Sequence, residues 1–223
     1  MKDQHIDAIV EELGAQLSRM RAVFNMALKY SRSEHPMRRL HDFFDPKTYG
    51  PEGLTPEPYA HFLPGVWVGF EGGKDVRLKL SAAQSQLAIS EDACDVEITR
   101  QGNDLSEWVT LEMSVPLQIV RPAQDIHVSI FGTQSGEEPD VPAKDPTMRL
   151  ALFVYDTDKK RHDASYEVFR SGLEPKFGQA RCDAKVAIPA QVRLDETRPA
   201  NLVIFFSPAA RRILLSDIHV AFN

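Results

Sequence analysis

A change of hydrophobic period near Pro64 constrains this chain more than any other feature. Before it, apolar residues recur at helical spacing; after it, they alternate. The clearest alternation runs from Trp108 to Val115, where Val109, Leu111, Met113 and Val115 share one face and Thr110, Glu112 and Ser114 the other. A strand of this kind buries one face and presents the other to water, as in two antiparallel sheets packed face to face.

Strands are expected at 66–71, 76–81, 86–90, 94–100, 108–115, 126–132, 148–156, 165–170, 183–188, 201–207 and 213–223. Gly72-Gly73, Gly102-Asn103-Asp104 and Asp156-Thr157-Asp158 supply turn chemistry between them. Short strands in series, with no helical period between them, predict a mainly β fold: an antiparallel β-sandwich, jelly-roll-like, over residues 65–223. The runs 150–154 and 202–206 are apolar on both faces, which places them in central strands or beneath a covering element. The stretch 133–147, with Gly136, Pro139, Pro142 and Pro146, reads as a long loop.

The N-terminal third predicts a helical arm over residues 1–45. Ile6, Ile9, Val10, Leu13, Leu17, Met20, Val23, Phe24, Ala27 and Tyr30 form a broad apolar stripe. Acidic residues (Asp3, Asp7, Glu11, Glu12) lie early and basic ones (Arg19, Arg21, Lys29, Arg32) late, matching the helix dipole at both ends. Pro36 restarts a short helix carrying Met37, Leu40, Phe43 and Phe44, and Asp45-Pro46 stops it. Residues 46–64 hold Pro46, Pro51, Pro56, Pro58 and Pro64 and read as a semi-rigid extended connector. The stripe needs a partner, either the chain's own β-domain or other copies in a helical bundle. Self-association into a homo-oligomer or a larger assembly is therefore one expectation.

Charge and composition exclude several classes. A net charge of -6 and a pI near 5.7 argue against nucleic-acid binding. No apolar run approaches the ~20 residues needed to cross a bilayer. The opening Met-Lys-Asp-Gln-His-Ile-Asp lacks a secretory signal's basic start and apolar stretch, so a cytoplasmic location is the default expectation. Export by a signal-independent route and assembly into a particle stay open. The phosphate-loop, dinucleotide, zinc-protease and nucleophile-elbow motifs are absent from the sequence. Neither catalytic residues nor a metal or cofactor is expected. Cys94 and Cys182 match no metal or redox spacing and read as buried thiols, with a disulfide between strand ends as the alternative.

A binding face remains. If Val76, Leu78, Leu80, Val96, Ile98, Val109, Leu111, Met113, Ile126, Val128, Ile218 and Val220 point inward, alternation turns Arg77, Glu97, Trp108, Glu112, His127 and His219 outward. Lys79, Asp95 and Thr110 join them, as does Trp67 if Val66, Val68 and Phe70 are core. Indole rings stack on the C–H faces of sugars, and planar polar groups hydrogen-bond their hydroxyls. Trp67, Arg77, Glu97, Trp108, Glu112, His127 and His219 are accordingly the candidate ligand-binding residues. The other role open to Trp108, at a strand start, is to cap the edge of the core.

Trp108 leading into an alternating strand, and a closing strand over 213–223, give residues 65–223 an outline that resembles the β-sandwich carbohydrate-binding modules at the level of fold. The resemblance implies non-catalytic glycan recognition, which a helical arm would make multivalent. The alternatives are a structural or assembly subunit of a particle, spike or surface complex, and a hydrolase or metal enzyme built on the sandwich. The last would require Asp95, Glu97, Glu112 and His127 to converge.

Overall fold

A computed structural model describes residues 42–70, 76–84, 92–100, 108–136, 147–173 and 178–223. Its strands are β1 (His61–Leu63), β2 (Val66–Phe70), β3 (Val76–Gln84), β4 (Asp92–Arg100), β5 (Val109–Val115) and β6 (Asp125–Ser135), then β7 (Thr147–Tyr155), β8 (Arg161–Arg170), β9 (Gly178–Lys185), β10 (Ala200–Phe205) and β11 (Arg212–Phe222). One short helix, α1 (Leu117–Val120), follows β5 and buries Leu117 and Val120.

The strands form two antiparallel sheets, of six strands in the order β1-β2-β5-β10-β7-β8 and of five in the order β3-β4-β11-β6-β9. Among the described residues, only β1–β2, β3–β4 and β7–β8 are successive strands paired within a sheet. Every other connection carries the chain from one sheet to the other, the crossing habit of a jelly roll. The expected mainly β sandwich is the observed architecture. The helical arm lies outside the described residues apart from a helical turn at 42–44, and so does the strand expected at 86–90.

The residues expected to face inward do so. Leu78, Leu80, Ile126, Val220, Leu111 and Val66 are each no more than 1% exposed, and Val76, Val96, Ile98, Val109, Met113, Val128 and Ile218 are buried with them. The doubly apolar runs became β7 and β10, neighbours inside the six-stranded sheet with a strand on either side. Their outward residues Ala151, Phe153 and Val203 form a second apolar cluster, on the far side of that sheet from the main core.

Prolines hid structure in the segment read as a connector. Asp45 caps a 3-10 turn at Pro46–Thr48 by accepting from the Lys47 amide, and β1 pairs with β2. Leu54 exchanges backbone hydrogen bonds with Leu80 at 2.7 and 2.8 Å. Phe43, Phe44 and Tyr49 sit in the same core as the strands, with Phe62 packed against it. Proline tolerates edge strands and turns, so its density reports the absence of a regular period and not the absence of burial.

Cys94 and Cys182 both point into the interlayer core as free thiols. They lie on β4 and β9, with β11 and β6 between. Three strand spacings alone separate their backbones by about 14 Å, and the register adds a four-residue offset along β6, so they are beyond disulfide reach. Burial pushes each thiol up to about 12, so neither is a ready nucleophile.

Candidate functional site

Alternation turned every candidate binding residue outward, but the topology sends them to opposite sides of the sandwich. Arg77 (β3), Glu97 (β4), His127 (β6) and His219 (β11) belong to the five-stranded sheet. Trp67 (β2) and Glu112 (β5), with Trp108 just before β5, belong to the six-stranded sheet. The convergence of Asp95, Glu97, Glu112 and His127 that a hydrolase would need does not occur, because Glu112 faces away from the other three.

The outer face of the five-stranded sheet is laced with ion pairs. Arg212 holds Asp95 through Nε at 2.9 Å, Lys185 meets Asp125 at 2.6 Å, and Arg181 meets Asp183 at 3.2 Å. His127 also contacts Asp183, and that hydrogen bond is the leading cause holding the Asp183 carboxyl below the usual carboxylate range. Arg77 and Glu97 are exposed, whereas His219, expected to be open to a ligand on this face, is only 3% exposed. Such paired charges on a wet face add little stability and read as solvating surface.

The outer face of the six-stranded sheet is different in kind. Strand register sets a transverse row across it: His61, Trp67, Glu112, Val203, Ala151 and Tyr166, each the partner of the next. The His61 and Trp67 rings stack at 4.5 Å between centroids, with planes 17° apart. Two residues along, Gly69, Thr110, Phe205, Arg149 and Val168 form the next row on the same face. Trp108 stands over this row, its ring 5.8 Å from Phe205 and 6.1 Å from Tyr59.

Glu112 lies between the two aromatic groups and is 6% exposed. One carboxylate oxygen accepts from the Thr110 hydroxyl at 2.9 Å, the other from the Asn201 amide at 2.8 Å. Gly69 makes the room: a Cβ there would collide with the Glu112 carboxylate and the Thr110 hydroxyl, and would press on the Tyr59 ring. Asn201 uses its amide nitrogen on Glu112, and its buried carbonyl oxygen has no hydrogen-bond partner among the described residues. Toward β8 the face turns cationic, with the Arg161 guanidinium 4.3 Å above the Phe153 ring.

This face can grip a flat, hydroxylated ligand: rings offer stacking surface, and a fixed carboxylate and amide offer acceptors between them. Of the candidates read from the sequence, Trp67, Trp108 and Glu112 share this face. Tyr59 and His61, which sit in a proline-rich stretch with no period, and Asn201 and Phe205, whose only signal was a strand apolar on both faces, lie beside them and were not among the candidates. Elsewhere a concavity of about 670 Å³ opens beside the Arg121–Glu196 ion pair, and no aromatic side chain is among its described lining residues. Among the described residues no group of His, Cys, Asp and Glu is arranged to hold a metal ion.

No family model matches the chain, and no curated protein matches it. Among solved structures, it is similar to the enzymatically active domain of tailspike protein 4 of bacteriophage CBA120, with 8% identity, a TM-score of 0.46 and coverage of 71% of this chain. The chain spans only 19% of that tailspike's length. A family 11 carbohydrate-binding module of a Clostridium thermocellum cellulase superposes with a TM-score of 0.44 at 8% identity, over 76% of this chain and 94% of the module. A Stig cyclase from Fischerella, solved with an indole compound, gives 0.46 at 12% identity, over 80% of this chain and 94% of the cyclase. Likenesses this remote decide neither ligand nor activity.

Proposed function

We propose that this protein is a non-catalytic glycan-binding module whose site is the outer face of the six-stranded sheet. The observation that carries the reading is Glu112, held by Thr110 and Asn201 between the Trp67–His61 stack and the Trp108–Phe205–Tyr59 group. Sugars present apolar C–H faces and a fringe of hydroxyls. A sheet face with rings spaced along it and buried acceptors between them matches both surfaces at once. The row from β1 to β8 crosses five strand spacings, about 24 Å, which is room for an oligosaccharide in place of a single sugar.

Multivalency through the arm belongs to the same proposal. A single shallow sheet face binds weakly, and self-association through the apolar stripe of residues 6–30 would multiply weak contacts into avidity. Light scattering on the full-length chain tests this part, and a monomer at every concentration would remove it. The binding itself is tested on a glycan array with wild type, Trp67→Ala and Trp108→Ala. Signal on defined polysaccharides that both substitutions abolish, with circular dichroism unchanged, is the expected result. Silence across the array would end the proposal.

A further inference from the structure

Glu112 carries an asymmetry that a neutral sugar does not explain. On the opposite face Asp95, buried to a similar degree at 8% exposure, is held by the Arg212 guanidinium. Glu112, at 6%, is held only by a hydroxyl and an amide, and among the described residues no Lys, Arg or His pairs with it. Burying a carboxylate is costly, and neutral donors compensate only part of that cost. A cation arriving at the site would complete it.

Two independent features agree with that sign. Aromatic rings lie on both sides of Glu112, and aromatic surroundings favour a cation over an anion. Beside the carboxylate, the buried Oδ1 of Asn201 is an acceptor without a partner among the described residues. Both groups accept and neither offers a proton. An ammonium is the complement: three donors, no acceptor and a positive charge. Among the described residues, the other charged side chains on this face are His61 next to Trp67, then Arg149, Arg161, Asp163 and Arg170 on β7 and β8, and Arg198 over the Tyr155 ring. Glu112 therefore sits on the β2 side of the row and the arginines on the β7–β8 side.

We infer that the ligand is a glycan bearing a protonated amino sugar, its ammonium seated between Glu112 and the Asn201 carbonyl oxygen. This rests on the glycan reading above. Titration calorimetry of the full chain with β-1,4-linked hexamers of glucosamine, N-acetylglucosamine and glucose tests it from the ligand side. The glucosamine hexamer is expected to bind at least tenfold tighter than the other two, with the preference shrinking as salt rises. In Glu112→Gln the three affinities should converge. Equal binding of the glucose or acetylated hexamer by wild type would overturn the amine assignment and leave glycan binding standing. Failure of all three, together with a silent array, would overturn both.

Discussion

Trp67 and Glu112 are cross-strand partners on β2 and β5, and the acid's carboxylate rests above Gly69, where β2 has no side chain. Ring, carboxylate and glycine thus form one unit. The strand supplies stacking surface at one residue and, two residues on, the gap that lets an acid from the neighbouring strand lie down beside it.

The gap is testable by filling it. Gly69→Ala puts a methyl group where the Glu112 and Thr110 oxygens lie. Overpacking of this kind costs about 1–3 kcal/mol, expected as a lower urea midpoint with the slope unchanged. Adding Glu112→Ala to Gly69→Ala should return part of the loss. A single Gly69→Ala as stable as wild type would show that the acid can move aside freely.

The two outer faces should separate in binding assays. Trp67→Ala or Trp108→Ala removes a central aromatic anchor, for which a loss of about 2 kcal/mol, or roughly thirtyfold in Kd, is expected. Arg77→Ala, Glu97→Ala and His127→Ala lie on the far sheet and should leave Kd within about twofold, because distant sites act independently. The opposite pattern would move the site to the five-stranded sheet.

The core extends N-terminally of Pro64. Phe43 is fully buried, with Phe44, Phe62 and Tyr49 rings at 5.1, 5.9 and 6.2 Å. Phe43→Ala should therefore cost about 3–5 kcal/mol in denaturant unfolding. A loss below about 1 kcal/mol would detach this segment from the sandwich.

Acid should weaken the β7–β8 turn in a defined window. Asp156 accepts from the Asp158 and Lys160 amides and from His162, and these bonds, His162 foremost, hold its carboxyl below the usual carboxylate range. A depressed carboxylate stabilises the fold above its unfolded pKa of about 3.9 and loses that contribution as pH falls through the folded value. Asp156→Asn keeps an acceptor for the turn amides and removes the charge facing His162. The variant should be less stable than wild type at neutral pH, and the two should converge below about pH 4. A gap that stays constant down to acid would assign the effect to the turn alone.

The two thiols should be silent in the native state. Cys94 and Cys182 are buried in separate strands, with their thiols pushed up to about 12. A thiol reagent at pH 8 is expected to label neither until denaturant is added, and then both. An intramolecular disulfide formed under mild oxidation would contradict the sheet order.

Much of the architecture was legible because a two-residue period is a local property. Val109, Leu111 and Met113 announce a buried face on their own, and so do Ile126 with Val128 and Ile218 with Val220. The antiparallel sandwich, the inward set and the outward direction of Trp67, Trp108 and Glu112 all follow from that parity. Where parity was blurred by burial on both faces, as at Asn201 and Phe205, or absent, as at Tyr59 and His61, the residues beside Glu112 and the two tryptophans were not visible.

Alternation says that a side chain points away from the core; it does not say which sheet its strand joins. That choice depends on the order in which the chain crosses between layers, which is fixed by long-range pairing and leaves no periodic trace in the sequence. The amino-acid sequence alone determined that Glu112 and Glu97 both face outward. Only the tertiary structure decided that they face opposite ways, because β5 pairs with β2 and β10 while β4 pairs with β3 and β11.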